Sequence, residues 1–382
     1  MRQDTFMFLL RSWVVGGAGN VRKNCSLTPI SLVLRLVLLA GAIVQIAYSP
    51  SSSGVTQNSA FQKEERVDYW INGFSPDNRH LSLDVCSKSD CRAVLLEWQS
   101  GKFSRVDSSD SDEVLSSGRF SPSGKYMVFT VKRKSEGEYT SQFGLYNLEK
   151  RTLRIITNTS SYKNFASFSP DEKRLIYMQA DRERASGKTR HAGWDVYELF
   201  IDSARQHRLT NYGFHLAVNP AYFPDGKTFI FSGEGPSRFS SKTGQNAIDA
   251  YRSAYQRNTV FIHSPEATEL RPAFTNGNHS NGASISRNGR RIAYIAITND
   301  LDSLKGGRFN YDIFMLEDGQ HRRLTKLGTF LYGMELSADG SLIAFVSDPT
   351  RKHVRQLFVM SVANGKPTRI ELRLDQYLNG KH

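Results

Sequence analysis

The sequence predicts an all-β fold, a six-bladed β-propeller with four-stranded antiparallel blades. The main observation is a turn-forming group followed by an alternating apolar strand, a pattern that recurs six times. The copies begin at Phe74, Phe120, Phe168, Tyr222, Ile285 and Leu336. Their spacing of 46 to 63 residues matches a propeller blade. A lone four-stranded sheet cannot cover both of its faces, so neighbouring sheets are expected to stack radially until the ring closes.

A second observation supplies the other two strands of each blade. After every copy come two more strand-like runs joined by a turn, starting at Arg92, Gln142, Trp194, Asn258, Tyr311 and Arg355. We label the four strands a to d from the axis outward and expect the propeller over residues 64–374, followed by a tail of residues 375–382. An open antiparallel sandwich is the alternative, but it would need more variable strand spacing.

The polar turn residues of the repeats have two interpretations. Carboxylates such as Asp225 could bind Ca²⁺, and glycines such as Gly226 could cradle an anion. Turn chemistry explains them better, because these turns favour an Asp that bonds its own backbone and a Gly with positive φ. Asp195 and Asp312, just before strand c of blades three and five, are expected to accept hydrogen bonds from neighbouring backbone.

Composition narrows the function classes. The chain has 382 residues, a formal net charge of +13, 39% hydrophobic and 11% aromatic residues, and 3 Cys. These values exclude wholesale disorder and a disulfide mini-scaffold. The excess positive charge favours anionic partners such as envelope polymers. Nucleic acid is not expected, because the basic residues form no run on a helix and the predicted compartment is wrong.

The N-terminal region predicts export. Residues 1–31 form a basic leader, residues 32–48 an apolar segment, and residues 49–63 a Ser-rich flexible linker. The positive charge before the apolar segment keeps the N-terminus in the cytoplasm, so the remainder is expected to be extracytoplasmic, in the periplasm. A signal anchor that holds the protein at the inner membrane is favoured, and a cleaved signal peptide is the alternative.

The cysteine usage agrees with export. Cys86 and Cys91 lie between two strand-like runs, where a disulfide could clip the ends of a hairpin loop. A pair of free thiols, or half of a metal site, is the alternative. Zinc has little support, because no second Cys pair or paired histidines lie nearby in the sequence.

Several repeat residues resemble a known family. The FPDGK turn at Phe223–Lys227, with the runs WDVYELF and HRLT, is similar to the TolB-type propeller repeat, and so is the ADGS turn at Ala338–Ser341, which the runs YDIFML and RRLT precede. The resemblance covers roughly the last 310 residues. It implies a periplasmic propeller of the cell envelope. Proteins of this type carry an α/β domain ahead of the propeller, and only the apolar segment and the linker precede the first repeat here.

The predicted topology separates two faces of the ring. Turns a–b and c–d lie on one face and are short, whereas the b–c loops and d–a links share the other face. The second group holds most of the length variation, in residues 132–141, 180–193, 233–257 and 298–310. Variable loops on a rigid scaffold are where binding groups usually lie, so this loop face and the channel mouth form the predicted partner surface.

The candidate binding residues lie mostly in the third blade. Its b–c segment carries a basic cluster beside an aromatic residue, which could bind carboxylates or phosphates: Arg182, Arg184, Lys188, Arg190, His191 and Trp194. A solvated loop balanced by Asp181 and Glu183 is the alternative. In blade four, Tyr251 belongs to a run with helical spacing that is expected to cap the rim, or it could be a packing residue.

Catalytic motifs are missing from the sequence. It contains no G-x-S-x-G elbow, P-loop, H-E-x-x-H or dinucleotide fingerprint, and its histidines are scattered singly. We therefore expect a non-catalytic scaffold for an envelope protein or an anionic polymer, without cofactor or metal. The alternative is a hydrolase or lyase that acts on an acidic polysaccharide at the axis, with polar groups such as His215.

Overall fold

The computed structural model describes residues 67–87, 90–106, 113–135, 138–185, 188–236, 259–267, 270–274, 280–298, 310–350 and 354–372. The predicted leader, apolar segment and linker, and the tail of residues 375–382, lie outside the described residues. The described ranges contain no helix long and apolar enough to cross a membrane.

The predicted six-bladed propeller is confirmed. Within the described ranges, twenty-four strands form six antiparallel blades in chain order. Blades one to three are β1 (Val67–Phe74), β2 (His80–Ser87), β3 (Asp90–Glu97), β4 (Lys102–Arg105); β5 (Val114–Phe120), β6 (Tyr126–Ser135), β7 (Glu138–Asn147), β8 (Thr152–Ile155); β9 (Tyr162–Phe168), β10 (Arg174–Ala185), β11 (Lys188–Phe200), β12 (Gln206–Arg208). Blades four to six are β13 (Phe214–Tyr222), β14 (Phe229–Pro236), β15 (Thr259–His263), β16 (Arg271–Pro272); β17 (Ser280–Ile285), β18 (Arg291–Ile297), β19 (Tyr311–Glu317), β20 (Gln320–Arg323); β21 (Phe330–Leu336), β22 (Leu342–Asp348), β23 (Gln356–Ser361), β24 (Pro367–Ile370).

The repeat turns form the tight a–b connections that the sequence predicts. Asp225 accepts hydrogen bonds from the backbone N–H groups of Lys227 and Thr228, both at 2.8 Å. Gly226 has a φ of 63°, in the left-handed region. Asp and Gly therefore serve the turn itself, which fixes where strand a ends and strand b begins.

The blades depend on one another for burial. Six hydrophobic clusters are found among the described residues, and each is shared by two neighbouring blades. One example joins Leu83 and Val85 of blade one to Val346 and Leu357 of blade six, all nearly inaccessible to solvent. The core therefore lies between the sheets, which explains why six repeats close a ring.

The innermost strands line the axis. Each strand a contacts the strand a of both neighbouring blades, including β1 against β21. All six also have a register irregularity against strand b. At these bulges several residues adopt positive φ, for example Ser117 (53°), Phe165 (57°) and Asn219 (53°). Bulges change the direction of the side chains that follow, and here they bring polar side chains toward the axis.

Two segments predicted as loops are instead extended hairpins. In blade two, β6 and β7 stay paired as far as Ser135 and Glu138, and in blade three β10 and β11 stay paired as far as Ala185 and Lys188. The physical reason is that two residues suffice to connect the paired strands, so the ladder continues past the level at which other blades end. Both hairpins extend at the loop face.

Candidate functional site

The face formed by the a–b turns is held together by contacts between blades. Arg174 of blade three donates from Nη2 to the Gly226 carbonyl of blade four, at 2.9 Å. Arg291 of blade five makes the equivalent bond to the Gly340 carbonyl of blade six, at 3.0 Å. Across the ring, Arg287 Nη2 of blade five donates to a carbonyl of the blade-two turn, at 2.7 Å. These bonds link the turns of neighbouring and of opposite blades.

The axis is crossed by an ion pair near the turn face. Arg119 on β5 of blade two donates from Nη2 to Glu335 Oε1 on β21 of blade six, at 2.6 Å, and approaches Asn219 Oδ1 of blade four at 3.4 Å. Ser284 Oγ of blade five donates to the other carboxylate oxygen of Glu335, at 3.0 Å. Four blades thus meet through polar groups at one level near the turn face.

Glu335 is almost inaccessible, with 5% of its side chain exposed, and its partner Arg119 has 16%. Burial raises the pKa of Glu335 above its ordinary range, and the Arg119 guanidinium and the Ser284 hydroxyl act in the opposite direction. The pair therefore places one guanidinium and one carboxylate with a perturbed pKa on the axis, a feature that also occurs at catalytic sites.

Aromatic side chains lie toward the loop face on β1 and β21, the innermost strands of blades one and six, and on β19, the third strand of blade five. The Arg355 guanidinium lies 4.1 Å from the Trp70 ring centroid and 4.2 Å from the Tyr332 ring centroid. Tyr332 contacts Phe330 at 4.8 Å between centroids, and Phe330 contacts Tyr311 at 5.4 Å. We call these five residues the aromatic belt. Its aromatic rings are partly buried, and the Arg355 side chain, 9% exposed, lies over two of them, so the belt is a packed cluster near the loop face.

A second buried carboxylate connects blades one and two. Asp84 on β2 accepts the Ser117 backbone N–H at 2.9 Å and the Asn72 amide at 3.0 Å. Burial raises the pKa of Asp84 to about 6, whereas the hydrogen bonds and the Lys132 ammonium oppose that shift. Burial in turn lowers the pKa of Lys132. Asp84 thus holds the bulge of strand a in blade two.

Comparison with known proteins agrees with this architecture. No family model matches the chain. The Tol-Pal system protein TolB of Francisella tularensis subsp. mediasiatica (strain FSC147) is 26% identical over 224 residues, which are 58% of this chain and 44% of that protein. The crystal structure of TolB from Acinetobacter baumannii superposes with a TM-score of 0.50 at 17% identity, covering 80% of this chain and 63% of that one. The chain is a TolB-like six-bladed β-propeller.

The TolB-like propeller spans less than half the length of the curated TolB relatives it matches. It is also similar to an oligogalacturonate lyase in complex with manganese, with a TM-score of 0.51 at 13% identity, over 79% of this chain and 78% of that chain. At these identities the solved structures show the fold alone. In the described ranges no three His, Cys, Asp or Glu side chains come together as a metal-binding group.

The predicted basic cluster lies on the extended hairpin of blade three. Arg182 and Arg184 belong to β10, Lys188 and Arg190 to β11, and their side chains lie outside the described part of the structure. In the backbone register Arg182 is opposite His191. The structure therefore places these positions on one hairpin of the loop face.

The two ring residues predicted beside this cluster have neighbours of their own. His191 stacks on Tyr162 with 4.1 Å between ring centroids. Trp194 is only 1% exposed and packs among Val196, Phe214 and other core residues of blades three and four. Trp194 is thus a core residue and not the surface platform that the sequence suggested. An aromatic residue next to charged positions predicted exposure, but it lies where the hairpin enters the sheet.

The remaining predicted residues are separate from that hairpin. His215 lies on β13, the innermost strand of blade four, and its side chain is outside the described part. Tyr251 lies outside the described residues altogether. Cys86 and Cys91 are opposite each other on β2 and β3, with 3.9 Å between their Cα atoms, and the structure joins them as a disulfide.

Asp195 and Asp312 have the architectural contacts that the sequence predicts. Asp195 accepts from the Tyr212 and Gly213 backbone N–H groups at 2.8 and 3.0 Å, and pairs with Arg208 at 2.5 Å. Asp312 repeats the arrangement in blade five. The Arg-Leu-Thr run of the repeat thus anchors the link from strand d to the next blade.

Sequence reasoning missed Arg119, Glu335 and the aromatic belt. Arg119 and Glu335 are 216 positions apart and lie next to apolar or turn residues, so no local spacing marks them. Their equivalent positions in the repeats could have identified them. Arg119, Ser284 and Glu335 each directly precede the last residue of strand a in their blades, so they lie at one level of the ring.

Proposed function

We propose that this TolB-like propeller is an extracytoplasmic binding scaffold that holds an envelope protein or an anionic polymer on its loop face. The observation that carries the proposal is the asymmetry of the two faces. Hydrogen bonds join the a–b turns of neighbouring blades on one face, and the Arg119–Glu335 pair crosses the channel near it. We place the partner on the other face, the loop face, where the blade-two and blade-three hairpins extend and the aromatic belt lies.

The charge of the chain supports an anionic contact surface. The sequence has a net charge of +13, and the extended hairpin of blade three carries Arg182, Arg184, Lys188 and Arg190. Guanidinium groups form paired hydrogen bonds with carboxylates and phosphates, and rigid aromatic rings add contact area at low entropic cost. The names of the relatives, which place TolB in the Tol-Pal system, agree with a protein partner.

The leader fits the same role. We propose that residues 32–48 anchor the protein in the inner membrane, with residues 49–63 as a flexible tether and the propeller outside the cytoplasm. The tether would let the loop face reach partners in the envelope without fixing its orientation.

The test is affinity capture from envelope extract with the full-length chain in mild detergent. The loop-face variant carries Arg182→Ala, Arg184→Ala and Arg190→Ala. Its matched control carries Lys125→Ala, Lys173→Ala and Lys227→Ala, three exposed residues of the a–b turns, so that the same charge is removed from the opposite face.

We expect the loop-face variant to lose at least one captured protein or polymer that the wild type and the turn-face control both retain. If all three proteins capture the same molecules in equal amounts, the blade-three hairpin is not the contact. Loss of capture only in the turn-face control would contradict the proposed choice of face.

An enzyme is the second candidate function, and the Arg119–Glu335 pair favours it. A carboxylate with a raised pKa beside a guanidinium could act as a general acid or base in a hydrolase or lyase acting on an acidic polysaccharide. The wild type incubated with polygalacturonate should then release reducing ends or unsaturated products, and Glu335→Gln should abolish this release while Lys125→Ala retains it. Equal product release by wild type and Glu335→Gln would exclude this site.

A further inference from the structure

Lys163 is a fully buried lysine on β9, the innermost strand of blade three, with none of its surface exposed. Its ammonium donates to the Ser161 carbonyl oxygen at 3.1 Å. An ammonium has three N–H donors, so this bond leaves two of them without an acceptor among the residues that the structure describes. A buried charge without an anionic partner is strongly unfavourable, and such groups in folded proteins are normally paired.

No carboxylate in the described part of the structure offsets this charge. Burial alone lowers the pKa of Lys163 to about 8, with no contribution from a neighbouring acidic group. By contrast, the buried Lys132 in the adjacent blade has Asp84 as its counter-charge. Lys163 therefore lacks the compensation that the same fold gives to a comparable lysine.

Two polar side chains belong to the strands on either side of Lys163. The Ser141 hydroxyl on β7 of blade two is fully buried, and its oxygen accepts the Lys163 backbone N–H at 2.7 Å. Gln179 on β10 is the register partner of Lys163, so the two side chains leave the sheet on the same side. The Gln179 Oε1 atom is buried without a hydrogen-bond partner.

The amide of Gln179 explains the orphaned oxygen. The O and N atoms of a Gln side chain are assigned from their hydrogen bonds and can be interchanged without changing the shape of the group. With the amide turned over, an N–H donor takes the place of the orphaned acceptor. Lys163, Ser141 and Gln179 would then present donors from three strands of two blades.

We propose that these groups bind one compact monovalent anion from solution, chloride in a salt-containing medium. An anion at this position would compensate the Lys163 charge and use the donors that the protein leaves open. The burial of the site limits the size of the anion. Lys163 and Ser141 have no exposed surface, so a carboxylate carried by a protein or polysaccharide does not reach them.

The anion would stabilise the base of the partner surface. Ser141 lies on the strand that continues into the blade-two hairpin, and Gln179 on the strand that continues into the blade-three hairpin. A bound anion therefore joins the two hairpins where they leave the ring. This inference does not depend on the proposed function, because it concerns a free ion and not the partner.

The first test measures the melting temperature of the full-length chain in sodium chloride and in sodium gluconate at equal ionic strength. Chloride should raise the melting temperature by about 2 °C for each tenfold excess over its dissociation constant, and gluconate, which is too large, should not. Lys163→Met should melt at the same temperature in both salts. Gln179→Glu supplies a carboxylate beside the ammonium, so it should also lose the chloride dependence and melt higher than the wild type in gluconate.

A second measurement needs no variant. Crystals of the wild type grown in bromide should show an anomalous peak within hydrogen-bond distance of Lys163 Nζ. An empty site, or a water with no anomalous signal, overturns the proposal. Equal melting temperatures of the wild type in chloride and gluconate overturn it as well.

Discussion

Removal of Arg119 should destabilise the ring more than removal of any surface arginine. In Arg119→Met the Glu335 carboxylate keeps its burial but loses the guanidinium 2.6 Å away. Breaking a buried pair by removing one partner costs about 3–5 kcal/mol, because the remaining charge is uncompensated. For a domain of this size the melting temperature should fall by roughly 5–8 °C.

The assay is thermal and urea unfolding of the wild type, Arg119→Met and a double variant that also carries Glu335→Leu. Since the double variant leaves no buried charge, it should recover most of the lost stability. Arg290→Met is the matched control: its pair with Asp318 is 65% and 60% exposed, so its removal should leave the melting temperature nearly unchanged.

The loss in Arg119→Met should depend on pH. Burial already raises the pKa of Glu335, and Arg119 opposes that rise. Without Arg119 the folded protein binds a proton more tightly than the unfolded chain, so the stability of the variant is greatest in acid and falls as pH increases through the raised pKa. The gap between the variant and the wild type should therefore be smaller near about pH 5 than near about pH 8. A cost below about 1 kcal/mol at both pH values would refute the reasoning, because it would mean that Glu335 is solvated or paired elsewhere.

Three further predictions address separate elements. Burial raises the pKa of Asp84 to about 6, so ionisation of Asp84 lowers the stability of the fold as the pH rises from about 4 to 7. In urea titrations, Asp84→Asn should remove about 3 kcal/mol of this pH dependence. An unchanged pH profile in the variant would contradict the raised pKa. Gly289 has a φ of 73°, and an added Cβ would lie 2.8 Å from the Pro224 ring of the preceding blade, so Gly289→Ala should lower the unfolding free energy by about 2 kcal/mol or more. Gly319→Ala, with a φ of 78° and open space around it, should cost only about 1 kcal/mol, and equal losses would mean that the contact is unimportant. Replacing Cys86 and Cys91 by Ser should lower the unfolding free energy by about 2 kcal/mol in non-reducing buffer, and the variant and the wild type should be equally stable under reduction. Two free thiols titrated in the folded wild type would contradict the disulfide.

The repeat alone was enough to predict the number of blades, the strands within them and the role of the turns. Each of these features depends on residues close in sequence, such as the Asp225–Gly226 turn and the alternating run of β18. Asp195 and Asp312 were also predictable, because the groups they bind lie within about eighteen residues on the same repeat.

Features created by closure of the ring could not be predicted in the same way. Arg119 meets Glu335 only because closure of the ring brings the innermost strands of blades two and six, which flank blade one, to the same channel. Lys163 has the sequence of an ordinary polar strand residue, and its burial comes from blade two packing over it. The length of the blade-two and blade-three hairpins was missed for a different reason: their charged residues suggested a loop, whereas backbone pairing between two strands does not need apolar side chains.

The first and last blades meet without exchanging a strand. Each of them is built from one continuous stretch of chain, so their junction depends on side chains such as Tyr69, which donates its hydroxyl to the Arg355 carbonyl at 2.5 Å. Both described ends of the ring lie at this junction, β1 on the inside and β24 on the outside. Mechanical tension applied between the two termini would load this seam before any other, and the circle would open there while the remaining five junctions stayed intact.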